Sequence, residues 1–383
     1  MLAFNPLVQP YPIQPLQLGE LRVWPPVVVA PMAGITDIAF RQLCYEHGNS
    51  LCVSEMISAN LLAENNAETR RMVQFFPGEP VRSVQLYTTR PEMLAKAIHI
   101  LREEYGVQHI DLNFGCPMPK ITRKGGGAAL PLHRSRFPVL LEAAVQAAGS
   151  IPVTVKIRLG LDDQFLYYHQ VLALAKEYGI AAVTLHARTA AQFYSGAARW
   201  EHLRRAVELA GGVSVIGNGD VWTAEHARQL LFQTGCQGLA IGRAILGRPF
   251  LVQHMQALFQ GRCLPPYPTL AEIATIARRH LELMIAYFPE IVAVRRFRKH
   301  LKWYFQGFRQ GERRLPELLR QDSAIALDAC LKAMNDPEPY PLAEIWGPRG
   351  KSGSSPRVVL PESYRQQLLS GIFPIAELAA SGG

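Results

Sequence analysis

The chain has 383 residues, of which 49% are hydrophobic and 19% charged, and its 40 Lys and Arg against 31 Asp and Glu give a formal net charge of +9. This composition excludes a disordered chain, and the length allows a large barrel followed by a smaller module. The positive charge suits an acidic partner such as a nucleic acid, although a charge of this size also serves solubility.

The six cysteines lie far apart, without a CxxC pair and without a Cys/His cluster at the spacing of metal ligands. We therefore expect a reduced, cytoplasmic protein with no metal site. The first basic residue is Arg22 and several prolines interrupt the N-terminal segment, which fits neither a signal peptide nor a transit peptide. No apolar run reaches the length of a membrane span, and no feature indicates an obligate protein partner.

Short apolar runs of strand character alternate with segments of helical spacing over the first 250 residues. The runs begin at Val27, Leu51, Val81, His109, Val153, Ala182, Val213 and Gly238. Eight alternations predict an α/β fold, a closed (β/α)8 TIM barrel; a doubly wound open sheet is the alternative. Only helical segments follow from about residue 260, so we predict a barrel over residues 1–255, a smaller all-helical domain over residues 256–340, and a linker with a C-terminal tail over residues 341–383.

Four of the predicted strands carry polar residues in register with the inward face. In VTVKIRL the apolar residues alternate with polar ones, so Lys156 is predicted to face the lumen, and Gln85, Asn113 and His186 each follow another polar residue by a step of two. Taken singly, an interior lysine is explained by an ion pair and an interior histidine by core packing. Four such ends converge on one small volume, and together they predict a site at the C-terminal mouth of the barrel.

Glycines follow the last two predicted strands. Gly217 and Gly219 flank Asn218 in VIGNGD, and Gly242 precedes Arg243 in AIGRA. A phosphate group often binds at these two loops of a TIM barrel, held by backbone N–H groups, whereas two ordinary turns would also use glycine. No GxGxxG follows any strand, so a mononucleotide-sized cofactor fits better than a dinucleotide in a Rossmann site.

Cys116 lies on the loop after the fourth predicted strand. A cysteine in isolation is usually a small buried hydrophobe. At the barrel mouth its thiol, with an ordinary pKa of about 8.5, is protonated at neutral pH and can donate a proton to carbon; a nucleophilic thiolate would need His133 or His186 beside it. The following KGGGAAL is either a loop able to close over a substrate or a glycine turn entering a helix.

A set of motifs in this order resembles the tRNA-dihydrouridine synthases. The motifs are APMAGITDIAFR, VQLYTT, DLNFGCPMPK with KGGGAAL, VKIRLG, LHART with QFYSG, NGD and IGRA, and the resemblance extends from about residue 31 to about residue 303. The later FRKHLKWYFQGF resembles the bacterial B-type subfamily in particular. That resemblance implies an FMN-binding barrel with a helical domain, which reduces particular uridines of tRNA to 5,6-dihydrouridine with NADPH.

Carried onto this chain, the resemblance implies which residues hold the FMN. They are Pro31, Met32, Ala33, Gln85, Lys156, His186, Asn218, Gly219, Asp220, Gly242 and Arg243. Cys116 matches the general acid: NADPH would reduce the flavin and leave, flavin N5 would transfer hydride to uracil C6, and Cys116 would protonate C5. Asn113 would touch the base or the flavin, and Arg158 would lie in the substrate site. The base must be turned out of the folded tRNA to reach the mouth.

The helical segment VRRFRKHLKWYFQGFRQ adds a prediction for tRNA. Its apolar residues recur at steps of three and four and are predicted to pack on the domain core; they are Val294, Phe297, Leu301, Tyr304 and Phe308. The basic residues Arg295, Arg298, Lys299 and Lys302 share the other side with Arg309. We predict that this side contacts tRNA phosphates; a solvated charged face is the alternative.

Two other functions fit part of the sequence. An FMN barrel that reduces a free small molecule, of the dihydroorotate or enoate type, shares the flavin site but leaves the basic helical domain without a role. An RNA-binding protein built on a degenerate barrel explains the charge, but the presence of Cys116 and Lys156 together with the NGD and GRA loops argues against it.

Overall fold

The computed structural model describes residues 13–344, 347, 358–362 and 364. It begins with a short antiparallel hairpin that the sequence analysis does not predict, β1 Leu16–Leu18 and β2 Leu21–Val23. Leu16 and Leu18 are fully buried among inward-facing residues such as Ile216, and Gly19 between the strands has φ +56. The hairpin therefore covers the N-terminal end of the parallel-stranded barrel that follows in the chain.

Parallel strands form the next and largest part of the fold. They are β3 Val27–Val29, β4 Leu51–Cys52, β5 Met56–Ser58, β6 Ser83–Tyr87, β7 His109–Phe114, β8 Val153–Arg158, β9 Ala182–His186, β10 Ser214–Asn218 and β11 Gly238–Ile241. In the described part of the chain they are linked in the order β4-β3-β11-β10-β9-β8-β7-β6-β5. All eight predicted strand runs are present, the second of them divided between β4 and β5.

The division between β4 and β5 marks the point where the sheet closes. The N–H of Val53 donates to the carbonyl of Val29, and the N–H of Ser54 donates to the carbonyl of Ser83, both at 3.2 Å. The segment between β4 and β5 thus bridges β3 and β6 as one interrupted strand. The predicted TIM barrel is confirmed, and the open doubly wound sheet is wrong.

Helices cover the outside of the barrel. They are α1 Ile38–Glu46, α2 Ala59–Ala63, α3 Ala67–Met72, α4 Pro91–Tyr105, α5 Pro119–Thr122, α6 Arg136–Ala148, α7 Tyr168–Glu177, α8 Trp200–Leu209, α9 Ala224–Thr234 and α10 Leu251–Phe259. The apolar strand residues Val155 and Ile157 pack against these helices, whereas Thr154 and Lys156 line the interior. This alternation follows from the period of two in a strand and directs the polar residues inward.

A second hydrophobic core lies in the helices that follow. They are α11 Leu270–Tyr287, which begins with a Thr269–Glu272 capping box, α12 Glu290–Phe305, α13 Arg309–Arg320 and α14 Ala324–Lys332. The five apolar residues predicted to pack on this core are buried. Leu43 of α1 belongs to the same core, and Arg279 of α11 pairs with Glu46 of α1, so the helices are attached to the wall of the barrel.

The final described residues return to the barrel. Tyr364 is buried, and its ring packs edge-on against His133 with the centroids 5.2 Å apart. Most of the predicted linker and tail over residues 341–383 lies outside the described residues. Among the residues that the structure describes, no helix combines the length and apolar character needed to cross a membrane.

Candidate active site

The predicted polar strand ends meet at the C-terminal mouth of the barrel. Strand register places Asn113 of β7 beside Lys156 of β8, and His186 of β9 beside Asn218 of β10. Gln85 of β6 is fully buried beside them and bonds to Asn113. The structure thus brings together all four polar residues on which the sequence analysis based the site.

Cys116 is held at this mouth by its backbone. Its N–H donates to Oδ1 of Asn113 at 3.1 Å, and its carbonyl accepts from the N–H of Ala128 at 3.0 Å. Burial raises the pKa of the thiol, while the backbone N–H of Met118 and then the charges of Arg158 and Lys156 oppose the shift. Because the thiol therefore stays protonated at neutral pH, it can act as a proton donor.

The alternative of a nucleophilic thiolate gains no support from the contacts. Among the described residues, no hydrogen bond or ring contact joins Cys116 to either candidate base. His133 instead contacts Ser135 and Tyr364, and His186 lies 6.3 Å from the ring of Tyr194. The geometry favours proton donation.

The glycine segment after Cys116 is tightly packed. Gly127 has φ +54, and a Cβ placed there would lie 2.5 Å from the carbonyl oxygen of Cys116. Residues Gly127–Leu132, which include Pro131, form a buried 3₁₀ helix. Of the two interpretations of KGGGAAL, the structure supports a glycine turn that enters a helix.

Lys156 extends across the interior from β8. Its Nζ donates to Oδ1 of Asn218 at 3.3 Å, and Nδ2 of Asn218 donates to the carbonyl of Ala240 at 2.7 Å, which fixes the orientation of that amide. Burial, together with the charge of Arg158, lowers the pKa of Lys156 to about 8, and Asp111 opposes the shift. The ammonium is consequently still mainly protonated near neutral pH.

Four cations converge on His186: Lys156, Arg158, Arg188 and Arg243. Burial, and then these four charges, hold the pKa of His186 well below its ordinary value, so the imidazole is neutral.

Among the described residues, a single carboxylate, that of Asp220, forms ion pairs with two of these cations, Arg188 and Arg243. Its Oδ2 is 2.7 Å from Nη2 of Arg188, and its Oδ1 is 3.8 Å from Nη2 of Arg243. The buried Nη1 of Arg188 has no hydrogen-bond partner among the described residues. The surplus of positive charge and this orphaned donor fit an anionic group such as a phosphate.

The NGD turn has a conformation that requires its glycine. Gly219 has φ +130, and a Cβ there would lie 2.7 Å from the Cβ of Ala198. Asp220 follows with φ 53, and its Oδ2 accepts from the N–H of Ala198 at 2.7 Å. Across the mouth, Gly242 faces Met32, whose Sδ would be 3.8 Å from an added Cβ. Arg243 lies over the rings of Tyr194 and Trp222 at 4.5 and 5.3 Å.

The loop after β3 borders the same space. Pro31 lines the barrel interior together with Asp111 and Lys156. The N–H of Met32 lies 3.1 Å from the hydroxyl oxygen of Thr36, and Ala33 is exposed. The loop thus lies at the mouth with Ala33 exposed and with the backbone of Met32 hydrogen-bonded within the loop.

Arg158 is used by the protein itself. Its Nε donates to the carbonyl of Gly115 at 3.0 Å, and its Nη1 donates to the carbonyls of Thr189 and Phe193 at 2.9 and 2.7 Å. The buried guanidinium also lies 5.6 Å from the ring of Tyr194. Arg158 therefore joins the Cys116 loop to the loop after β9.

The basic residues of α12 do not share one surface. Arg295 and Lys302 are exposed, whereas Arg298 pairs with Asp322 and donates to the carbonyl of Gln321 at 2.7 Å. Lys299 points toward the barrel and donates to the carbonyl of Gly34. Burial lowers the pKa of Lys299, with Asp37 and Glu55 raising it. Helical spacing predicts the side of α12 on which a residue lies, but it does not predict which neighbouring segment contacts that residue.

Two residues of this site are missing from the sequence predictions. Arg188 follows His186 by the step of two that identifies the other inward residues, so the pattern could have revealed it. Tyr194, which lies near both Arg158 and Arg243, stands on a loop with no periodicity to indicate its place.

A closed parallel barrel with a cationic mouth and a protonated thiol defines a TIM-barrel enzyme with a site for an anionic ligand. The family model described as "Dihydrouridine synthase (Dus)" matches residues 28–334. The chain belongs to the dihydrouridine synthase family, an oxidoreductase family, as its motifs predict.

Relatives and a solved structure extend the comparison. A probable tRNA-dihydrouridine synthase of Mycobacterium leprae is 41% identical over 385 residues, covering 93% of this chain and all of the relative. The tRNA-dihydrouridine synthase B of Klebsiella pneumoniae is 39% identical over 294 residues, covering 76% of this chain and 90% of the relative. Histamine dehydrogenase from Rhizobium sp. 4-9 has a TM-score of 0.50 at 13% identity, covering 71% of this chain and 51% of that one, and shows the fold alone.

Proposed function

We propose that the protein reduces uridines in tRNA to 5,6-dihydrouridine, with FMN held at the barrel mouth and NADPH as the electron source. The observation that carries the proposal is the surplus of buried cations around His186, beside a thiol whose pKa is raised. Family membership and the names of the relatives supply the reaction.

The residues at the mouth fit a flavin mononucleotide. The orphaned Nη1 of Arg188, with Arg243 and the NGD turn, suits the phosphate. Gln85, Lys156 and the neutral His186 lie deeper, where they can contact a ring system with hydrogen-bonding edges. The remaining residues assigned to the cofactor are Pro31, Met32, Ala33, Asn218, Gly219, Asp220 and Gly242.

The protein residues hold the substrate and move one proton. When bound, FMN would supply the redox chemistry, delivering to C6 of the uracil ring a hydride equivalent that originates from NADPH. The Cys116 thiol then donates its proton to C5, since burial keeps it protonated at neutral pH. Lys156, whose pKa is about 8, provides positive charge next to the developing negative charge.

The helical domain over residues 256–340 is proposed to bind the tRNA, and the barrel over residues 1–255 to carry the chemistry. The exposed Arg295 and Lys302 suit phosphate contacts. A reductase of a free small molecule would use the same mouth but has no need for these charges. Asn113 is proposed to contact the base, and Arg158 to fix the walls of its pocket.

The proposal is tested in a strain from which the gene is deleted. Nucleoside analysis of its tRNA should show dihydrouridine lost from at least one position, restored by the intact gene and not by a Cys116→Ala gene. A full set of dihydrouridines in the deletion strain, with no other synthase present, refutes the assignment.

A further inference from the structure

Asp111, in the strand that leads to Cys116, is a buried carboxylate to which neither the cofactor site nor the base site gives a role. It is 3% exposed and faces the barrel interior. Among the described residues it forms no ion pair within 4.0 Å, since the nearby Lys156 donates to Asn218 instead. Burial of an unpaired carboxylate is costly, so its hydrogen bonds have to compensate.

We propose that Asp111 is a positioning residue for the proton donor, which fixes the orientation of two amide side chains and, through them, the loop that carries Cys116. This inference rests on the proposed function for the role of Cys116, but the chain of hydrogen bonds that supports it does not.

The chain starts from the fact that an ionised carboxylate only accepts hydrogen bonds. Gln85 must therefore present its NH2 group, and its Nε2 donates to Oδ2 of Asp111 at 2.6 Å. This turns Oε1 of Gln85 toward Asn113, whose Nδ2 donates to it at 2.9 Å. Oδ1 of Asn113 is then left to accept from the N–H groups of Gly115 at 3.3 Å and Cys116 at 3.1 Å.

A second chain reaches the other oxygen of the same carboxylate. The hydroxyl of Thr154 donates to Oδ1 of Asp111 at 2.6 Å, so its oxygen can accept from Nε2 of His109 at 3.0 Å. Nδ1 of His109 then accepts from the hydroxyl of Ser83 at 2.7 Å. Both chains end on Asp111, which makes it the group that determines the direction of every bond in them.

Titration of Asp111 should break the chain toward Cys116. Burial raises the pKa of this carboxyl to about 6. Below that pH the carboxyl O–H of Asp111 can donate to Oε1 of Gln85, so the Gln85 amide can turn over. The hydrogen bond that directs Oδ1 of Asn113 toward the loop is then lost. The other titratable groups facing the same interior are His109, whose pKa burial lowers to about 4, and Lys156, at about 8.

The reaction should therefore need the ionised form of Asp111. The carboxylate is present above about pH 6 and lost as the pH falls through that value, so turnover on tRNA should fall on the acid side there. This fall in turnover at acid pH is predicted for the wild type. It should disappear in a variant whose hydrogen-bond chain does not depend on a carboxylate at position 111.

The test uses three full-length flavoproteins at pH 8: Asp111→Asn, Asn113→Asp, and the double variant. The amide introduced by Asp111→Asn can donate to Oε1 of Gln85, whose NH2 then faces residue 113, where only an aspartate accepts without conflict. The double variant thus rebuilds the chain with reversed polarity, while each single variant has one mismatched pair. Thr154→Val is the control, because Thr154 bonds the same carboxylate on the side away from Cys116.

Hydrogen exchange at the Gly115 and Cys116 amides is the main measurement, because it needs no tRNA. Losing the acceptor should speed exchange about 2- to 10-fold in Asp111→Asn. The double variant and Thr154→Val should match wild type, as should Asn113→Asp, whose carboxylate keeps an acceptor oxygen for the two amides. Single-turnover reduction of tRNA should fall in Asp111→Asn, and turnover is not compared for the variants of residue 113, because that residue is proposed to contact the base.

Two results overturn the inference: wild-type exchange in Asp111→Asn, or exchange in the double variant as fast as in Asp111→Asn. If Asp111→Asn does not fold, a folded double variant with wild-type exchange supports the inference, and one with fast exchange refutes it. Failure of the proposed function alone would abolish tRNA turnover in wild type while leaving the exchange pattern intact.

Discussion

Loss of the two exposed cations of α12 should weaken tRNA binding in a salt-dependent way. Of the four α12 residues expected to contact phosphate, Arg298 is paired with Asp322 and Lys299 is directed at the barrel. Arg295 and Lys302 are exposed and have no ion-pair partner among the described residues. The structure therefore narrows the perturbation to a double variant, Arg295→Ala with Lys302→Ala.

The magnitude follows from counterion release. Each phosphate contact contributes roughly 0.7 to 0.9 to the slope of log affinity against log salt, so two contacts contribute about 1.4 to 1.8. Over a four-fold range of salt the wild-type affinity should then fall about 7- to 12-fold more than the affinity of the double variant. A solvated face with no tRNA contact predicts identical slopes.

The assay is fluorescence anisotropy of labelled tRNA at several salt concentrations. A matched control is Lys96→Ala with Lys176→Ala, which removes the same charge from α4 and α7 on the barrel wall. Its slope should equal that of wild type, and NADPH oxidation by the flavin should be unchanged in both double variants. Equal slopes for wild type and the α12 variant, or an equal drop in the control, would refute the reasoning.

Further predictions concern the barrel. Cys116→Ala should keep its flavin and be reduced by NADPH, yet lose about 10²- to 10⁴-fold in tRNA turnover measured in single-turnover assays; full turnover would exclude the thiol as acid. Lys156→Met and Arg243→Met should each purify with less FMN, judged by the ratio of flavin to protein absorbance, and a full complement in both would misplace the cofactor. Glu79→Gln should cost about 3–5 kcal/mol of unfolding free energy in denaturant titrations because it leaves Arg41, 1% exposed, without its carboxylate; a cost below about 1 kcal/mol would show that the buried pair is dispensable.

Much of the barrel could be predicted because the period of two in a strand distinguishes residues that face the helices from residues that face the lumen. The alternation in VTVKIRL predicts that Val155 faces the helices and Lys156 the lumen, and both do. The break between β4 and β5 has no such signal, because LCVSEM reads as one continuous strand. The hairpin of β1 and β2 was also not predictable, since nearby prolines suggest irregular structure. Its leucines are buried because they cover the N-terminal end of the barrel, which the sequence pattern does not indicate.

The candidate site was predictable where residues stand on strands and less so where they stand on loops. His186 and Asn218 follow the inward register, but the contacts of Arg188 with the carbonyl of Gly196 and with Asp220 depend on how two loops fold back. Lys299 shows the same limit for a helix: its spacing matches exposed neighbours, and only the docking of α12 against the barrel mouth directs it to Gly34. The orientation of the Gln85 amide depends on its hydrogen bond to Asp111 on the neighbouring strand. The sequence pattern does not indicate this contact.

The most direct test of the account is the formation of dihydrouridine by the purified protein. Unmodified tRNA transcribed in vitro is incubated with the flavoprotein and NADPH, and its nucleosides are measured by mass spectrometry, with free uridine as the parallel substrate. We predict dihydrouridine in the tRNA at one or a few positions and none from free uridine. No dihydrouridine in tRNA from a protein that carries FMN and oxidises NADPH, or equal reduction of free uridine, would contradict the account.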